Sequence, residues 1–374
     1  EYPMGWIEWL VQEFGAFVSS LMADGWLKDL VIDGIIGGVG SVLVFLPNIL
    51  LLYLFISLLE DSGYMARAAF IMDRLMHKIG LHGKSFIPMI MGFGCNVPAI
   101  MATRTIESPK SRLITMLIIP LMSCAGRMPV YILIAGAFFP RNAGLVLLGM
   151  YALGIVLAII AARVMSRFFK DDDLPFVMEL PPYRIPTSKS IFRHTWEKGR
   201  QYLQKMSGII LICSMALWFL GYFPNHDSSA SEQQEHSFIG YVGKTIEPVL
   251  EPLGFDWRMG VGIIAGVGAK ELVVSTLGVM YADDEPLAAV VPEGQDDEAK
   301  GDTRLQRALT RSVTPAGALA YMVFILLYFP CVASIVAIRK ESGSWKWAII
   351  AAVYTIVLAW VAAFITFRIF SLIL

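Results

Sequence analysis

Three ionisable residues, Arg127, Lys270 and Glu271, lie inside stretches otherwise swept of charge. An ionisable group in hydrocarbon is costly, so each is a functional candidate. Cys95, Cys124 and Cys331 lie in the same kind of stretch, each beside a helix breaker or a small residue. Breakers leave backbone carbonyls without helical partners. Carbonyls together with carboxylate and thiolate make a coordination set for a cation. Thiolate favours softer transition metals and carboxylate favours harder ions, so the mixed set points to a borderline divalent cation such as Fe²⁺. Glu60, Asp61 and Asp73 sit at the edge of apolar segments and complete the group of acids.

Each of these residues also has a plainer reading. A buried free cysteine is usually a small hydrophobe, and Cys213, in the middle of an uninterrupted apolar stretch, is best read so. Lys270 and Glu271 read equally as a structural ion pair, although adjacent residues do not face each other on a helix. Arg127 reads as a tie between broken backbone carbonyls. Glu60 and Asp73 read as solvated, or as partners of Arg67 and Arg74. His77 and His82 flank Gly80 and read as exposed. Gly80-Leu81-His82-Gly83-Lys84-Ser85 ends like a phosphate-binding loop, but Lys78 stands where its first glycine belongs and no strand precedes it. No metalloprotease or nucleophile-elbow motif occurs, so an enzyme is not indicated.

The elements that must position these residues follow from composition. The 374 residues are 56% hydrophobic and 16% charged, with mean hydropathy +0.62. A typical soluble domain carries about 25% charge. Thirty basic and 31 acidic residues nearly cancel, which excludes a global basic field for nucleic acid. A membrane span needs about 20 apolar residues. Windows 34–59, 113–140, 142–162, 206–225, 312–338 and 347–367 meet this, and all are expected to cross fully. Windows 85–103 and 259–282 are apolar but broken by Gly and Pro, and the second holds Lys270-Glu271 at its centre. Broken backbone survives at membrane depth only under cover of protein or a water-filled cavity. Both are therefore expected to be discontinuous or re-entrant.

The fold class is all-α and polytopic, with six full spans plus two broken helices. Residues 1–33 are expected as an interfacial amphipathic segment carrying Trp6, Trp9, Trp26, Phe14 and Phe17. Residues 34–140 form a first repeat, 141–205 a connecting span and basic segment, and 206–374 a second repeat with terminal spans. Nine Lys/Arg between 163 and 205 place that segment in the cytoplasm. Residues 283–302 are acidic and read as a flexible loop. Glu1 is not a start methionine, so a fragment or a processed product is expected.

A shift of 174 residues superimposes the two broken windows. Gly80, Gly92 and Gly94 meet Gly254, Gly266 and Gly268, and Asp73 meets Glu247. Downstream, 120–130 and 327–337 each hold a cysteine in a Pro-interrupted stretch. Repeats with broken helices are a mark of secondary transporters. Re-entrant windows make the repeats inverted and put residue 1 outside. Fully crossing windows make them parallel and put residue 1 in the cytoplasm. The Gly/Pro content favours the first.

Several stretches resemble the FeoB family of ferrous iron transport proteins. They are Glu60-Asp61-Ser62-Gly63-Tyr64-Met65-Ala66-Arg67-Ala68-Ala69-Phe70, Gly92-Phe93-Gly94-Cys95-Asn96-Val97-Pro98 and Met122-Ser123-Cys124-Ala125-Gly126-Arg127. Pro175-Phe176-Val177-Met178-Glu179-Leu180-Pro181, Gly268-Ala269-Lys270-Glu271 and Tyr328-Phe329-Pro330-Cys331 complete the set. The resemblance implies Fe²⁺ uptake across the bacterial inner membrane through paired Gate repeats. It implies Cys95, Cys124, Glu271 and Cys331 as transport-path residues and transient metal ligands, with Asn96 beside them. Glu60, Asp61, Asp73, Arg127 and Lys270 are supporting residues. The family's GTPase domain is not among these residues, so GTP is expected to act only through a domain or partner outside this chain. The lipid bilayer and small FeoA- or FeoC-like proteins are the expected partners, with an oligomer of this chain left open and no nucleic acid. A nucleoside or other small-solute carrier, and a non-transporting receptor or scaffold, remain as alternatives.

Overall fold

The computed structural model describes residues 2–21, 25–168, 187–223, 237–281 and 297–372. Among them the regular elements are all helical. Helices α1 (Tyr2–Leu21) and α2 (Trp26–Asp29) lead through a π-helical stretch, Leu30–Ile36, into α3 (Gly37–Asp61) and α4 (Tyr64–Ile79). Then come α5 (Phe86–Gly94), α6 (Asn96–Ala102), α7 (Pro109–Ile118), α8 (Met128–Phe138), α9 (Ala143–Phe168) and α10 (Ser188–Tyr222). The rest are α11 (Phe238–Leu250), α12 (Trp257–Gly268), α13 (Leu272–Met280), α14 (Asp297–Ser312), α15 (Pro315–Leu327), α16 (Val332–Ser342) and α17 (Trp345–Phe370).

Four stretches of the described residues are long and apolar enough to cross a membrane: 109–138, 143–168, 315–342 and 345–370. Their burial divides them. The continuous helices α9 and α17 are only 22% and 28% buried, whereas the interrupted stretches 109–138 and 315–342 are 67% and 72% buried. On α17 the small residues Ala348, Ala351, Thr355, Ala359 and Ala363 form one buried seam. Ile349, Val353, Ile356, Val357 and Val361 are exposed. A helix that turns branched apolar side chains outward belongs in lipid. The interrupted stretches have broken backbone to hide and lie inside. The chain is thus an all-α polytopic membrane protein.

Two of the six expected spans are interrupted where their prolines fall. Stretch 109–138 breaks between α7 and α8, and 315–342 between α15 and α16. Both begin alike: Ser108 and Thr314 cap the helix through the side-chain oxygen, and Pro109 and Pro315 occupy the first turn. Pro120, Pro330 and their neighbours then stop the helical ladder. The windows expected at 34–59 and 206–225 fall in α3, with Pro47 inside it, and at the end of the 35-residue α10. Residues 297–302, read as flexible loop, instead start helix α14. Its Ala, Glu, Lys, Leu and Arg content favours helix. Residues 188–205 of the basic segment are likewise helical, at the start of α10. The Pro-rich run 180–186 and most of the acidic loop lie outside the described residues, as does the Cys213 side chain.

The chain divides into two compact units. Unit 1 comprises residues 1–120, 158–219 and 336–344, and holds α1 to α7. Within it α1 packs on α3, with Val11 against Gly40. Trp6, Trp9, Phe14 and Phe17 of α1 are exposed. Unit 2 comprises residues 121–157, 220–335 and 345–374. Within it α15 packs along α17, and Phe255, Tyr321, Phe324 and Tyr328 form a run of ring contacts.

Candidate functional site

Each broken window is a helical hairpin. The halves α5 and α6, in unit 1, pack against each other, as do α12 and α13 in unit 2. A helix interrupted but running on in line would bring its halves together only at the junction. The first break falls at Cys95, whose backbone is extended at φ −150° and ψ 131°. The second falls at Ala269, with φ −145° and ψ 139°. These positions are 174 residues apart, the same shift that aligns the glycines. Gly80 and Gly254 obey it too, both left-handed at φ 86° and 76°. So do the caps: His82 accepts from the Lys84 N–H ahead of the first hairpin, and Asp256 from the Met259 N–H ahead of the second.

In unit 1, Cys95 is half-buried and Asn96 starts α6 with a side chain 4% exposed. The Asn96 Oδ1 is buried with no hydrogen-bond partner. Glu60 is exposed at the end of α3, and Asp61 beside it is half-buried. Asp73 accepts from the Gly83 N–H at 2.9 Å and faces His77 Nδ1 at 3.2 Å. That ties α4 to the start of the hairpin, and its partners are these groups rather than Arg74.

In unit 2 three breaks meet. The first is 122–127, where Cys124 is half-buried and Arg127 fully buried, donating from Nη1 to the Met122 carbonyl at 2.7 Å. Arg127 therefore bridges its own break. The second is 269–271. A Cβ built on Gly126 would lie 3.5 Å from Glu271 Oε2 and 3.6 Å from Lys270 Cβ, which shows how closely the first two breaks approach. The third is 328–331. The Lys270 ammonium, 4% exposed, donates to the Phe329 carbonyl at 2.7 Å and sits 3.2 Å from the centroid of the Tyr328 ring. Cys331 lies 3.1 Å from Ser334 Oγ. Cys124 and Cys331 are both within electrostatic reach of Lys270.

Cys124, Arg127, Lys270, Glu271 and Cys331 are thus brought into one neighbourhood of unit 2, while Cys95 and Asn96 belong to unit 1. Lys270 pairs with a carbonyl and an aromatic face, not with Glu271. Among the described residues no three His, Cys, Asp or Glu side chains are gathered closely enough to hold an ion. Tyr328 was not singled out from the sequence as a site residue. It stands in the Tyr-Phe-Pro-Cys motif, three residues before Cys331, which was the available signal.

Paired helical hairpins, each followed by a broken apolar helix, define a class of polytopic membrane protein built on an internal repeat. Residues 42–138 and 203–345 match the family model Gate, described as nucleoside recognition, and the chain belongs to that family. Residues 147–198 match the model described as ferrous iron transport protein B C terminus, so the chain corresponds to the C-terminal transmembrane region of FeoB proteins. A Porphyromonas gingivalis protein named Fe(2+) transport protein A/Fe(2+) transporter FeoB fusion protein is 54% identical, over 98% of this chain and 47% of its own length. The Fe(2+) transporter FeoB of Staphylococcus aureus strain MSSA476 is 47% identical, over 92% of this chain and 49% of its own. That of Campylobacter jejuni is 41% identical, over 100% and 60%. The chain spans about half the length of the curated relatives it matches. No solved structure gives a significant match.

Proposed function

We propose that this chain carries Fe²⁺ across the inner membrane of a bacterium as a multi-pass permease region. The observation that carries the reading is the convergence of three backbone breaks on Lys270-Glu271, with Cys124 and Cys331 beside them. It is supported by relatives named Fe(2+) transporters. Cys95, Cys124, Glu271 and Cys331 act as transient ligands, taken up in turn, and break carbonyls replace part of the water shell. A transported ion must leave as readily as it binds, so scattered ligands suit passage better than a closed cage. Asn96 contributes its free acceptor. Arg127 holds the Cys124 break in shape, while Glu60, Asp61 and Asp73 brace the approach.

In this reading residues 34–140 and 206–374 act as the two Gate repeats, inverted and re-entrant, joined by a basic cytoplasmic segment. GTP acts through a domain supplied in cis or in trans. A small FeoA-like protein is a partner, in keeping with a relative named as a fusion of the two.

Uptake of Fe²⁺, Mn²⁺, Zn²⁺ and a nucleoside into proteoliposomes, with and without a GTPase domain supplied, tests the function. Fe²⁺ flux is expected, and it falls in Cys95→Ser, Cys331→Ser and Glu271→Ala. Undiminished flux in all three variants overturns the site, and nucleoside flux without metal overturns the function. A cysteine placed at Asp284 is expected to label from outside, and cytoplasmic labelling would reject the inverted arrangement.

A further inference from the structure

We infer that Lys270 is a tethered stand-in for the transported cation: its ammonium occupies a cation position at the Cys331 break and must be displaced, then return, in each passage. The inference rests on the Fe²⁺ reading above and concerns what governs release at that site.

The ammonium is held as a desolvated cation is held. Its head meets the Phe329 carbonyl at 2.7 Å and the face of Tyr328 at 3.2 Å from the ring centroid. An aromatic face attracts a cation through its quadrupole, most strongly when water is excluded. Phe329 lies in the break between α15 and α16, followed by Pro330, which has no N–H, and then by Cys331. Its carbonyl is therefore among the acceptors this break presents to a cation. The carboxylate of Glu271 follows directly in sequence, beside Gly126 and Cys124's break. A divalent ion moving among Glu271, Cys124 and Cys331 meets the Lys270 ammonium seated on an acceptor it could use itself. Two like charges in a low-dielectric site repel, so the ammonium and the ion exclude each other.

The repeat sharpens the contrast. The position 174 residues earlier is Asn96, equally buried, with an Oδ1 that has no partner. One repeat thus carries a built-in cation at the residue after its break, where the other carries an open acceptor. A lysine serving only to staple two segments needs no such exchangeable seat, and a neutral hydrogen-bonding side chain could do that work.

The test separates displacement from stapling by splitting affinity from rate. In Fe²⁺ uptake by proteoliposomes, Lys270→Met is expected to lower the half-saturating Fe²⁺ concentration about tenfold and to lower maximal flux by a similar factor. Without the ammonium the ion binds better and leaves worse. Lys270→Arg, which keeps the charge, returns half-saturation toward the wild-type value. Tyr328→Leu, which keeps Lys270 but removes its aromatic seat, is expected to lower half-saturation too, and it carries the test if Lys270→Met does not fold. Reduced flux with half-saturation unchanged or raised, in both Lys270→Met and Tyr328→Leu, overturns the inference and leaves the Fe²⁺ function standing. Absence of Fe²⁺ flux in the wild type overturns the function itself.

Discussion

Cys95 and Ala269 stand 174 residues apart in sequence and hold the same extended backbone, φ −150° and ψ 131° against φ −145° and ψ 139°. Each is the single non-helical joint of its hairpin or begins it. Extended backbone of this kind is open to any L-residue, so the thiol at 95 is not there to satisfy the joint. Cys95→Ala gives the first hairpin the residue the second already uses. It is expected to change stability by less than about 1 kcal/mol, since no special backbone, cap or tightly filled core is lost. Fe²⁺ flux is expected to fall while the melting temperature in detergent holds. A parallel loss of both would show Cys95 to be packing.

Gly266 tests the opposite kind of constraint. A Cβ there would collide with the Tyr328 hydroxyl and with Val273 Cγ2. The glycine lets α12 close on α13 and on the ring that seats Lys270. Gly266→Ala is expected to destabilise by about 1–3 kcal/mol through overpacking. Adding Tyr328→Phe removes the hydroxyl but not the Val273 contact, so it should restore part of the loss. Full restoration, or none, would place the strain elsewhere. Melting curves of the single and double variants decide the matter.

The hairpins were legible because breakers act locally. Gly92, Gly94 and Pro98 around Cys95, and Gly266 and Gly268 ahead of Lys270, interrupt helix wherever they fall. The same local chemistry marked the Cys124 and Cys331 breaks inside two of the expected spans. Partners distant in sequence left no such trace. Lys270 finds its acceptor 59 residues away, in another break, which its neighbours in sequence do not reveal. Asp256 was unremarkable in sequence, yet it caps α12 with one oxygen and accepts from the Tyr281 hydroxyl at 2.8 Å with the other, fastening the far end of α13. Glu341 carries no local signal in the sequence, and its importance lies in arginines more than 200 residues earlier.

Glu341, its side chain 3% exposed, ends the helix that Cys331 begins. Arg104 holds it with two donors, Nε at 2.6 Å and Nη2 at 2.5 Å. Arg112 adds Nη2 to the Glu341 backbone carbonyl at 3.0 Å and to its carboxylate at 3.3 Å. A two-donor guanidinium grip fixes geometry as well as charge. Glu341→Gln is expected to cost about 2 kcal/mol, the range of hydrogen bonds to charged groups, and to lower the melting temperature. Arg104→Glu should cost as much alone. The exchanged pair Arg104→Glu with Glu341→Arg should recover only part, because Arg112 then faces an arginine. Additive losses in the exchanged pair would deny that the two residues couple.

His82 supplies a pH dependence whose sign follows from its surroundings. Partial burial holds its imidazole below the ordinary value of 6.5, helped by Lys84 and His77 and opposed by Asp73 and Glu107. Its Nδ1 accepts from the Lys84 N–H at 3.1 Å, which only an unprotonated nitrogen can do. The unfolded chain therefore takes up this proton more readily than the folded one. Stability from this group is complete above about pH 6.5 and is lost as pH falls through the lower folded value. His82→Asn keeps a side-chain acceptor for the Lys84 N–H and removes the titration. The wild type is expected to lose more melting temperature than His82→Asn between about pH 7.5 and about pH 5.5, a window that spans the ordinary imidazole titration. An equal loss in the two proteins would assign the acid sensitivity to other groups.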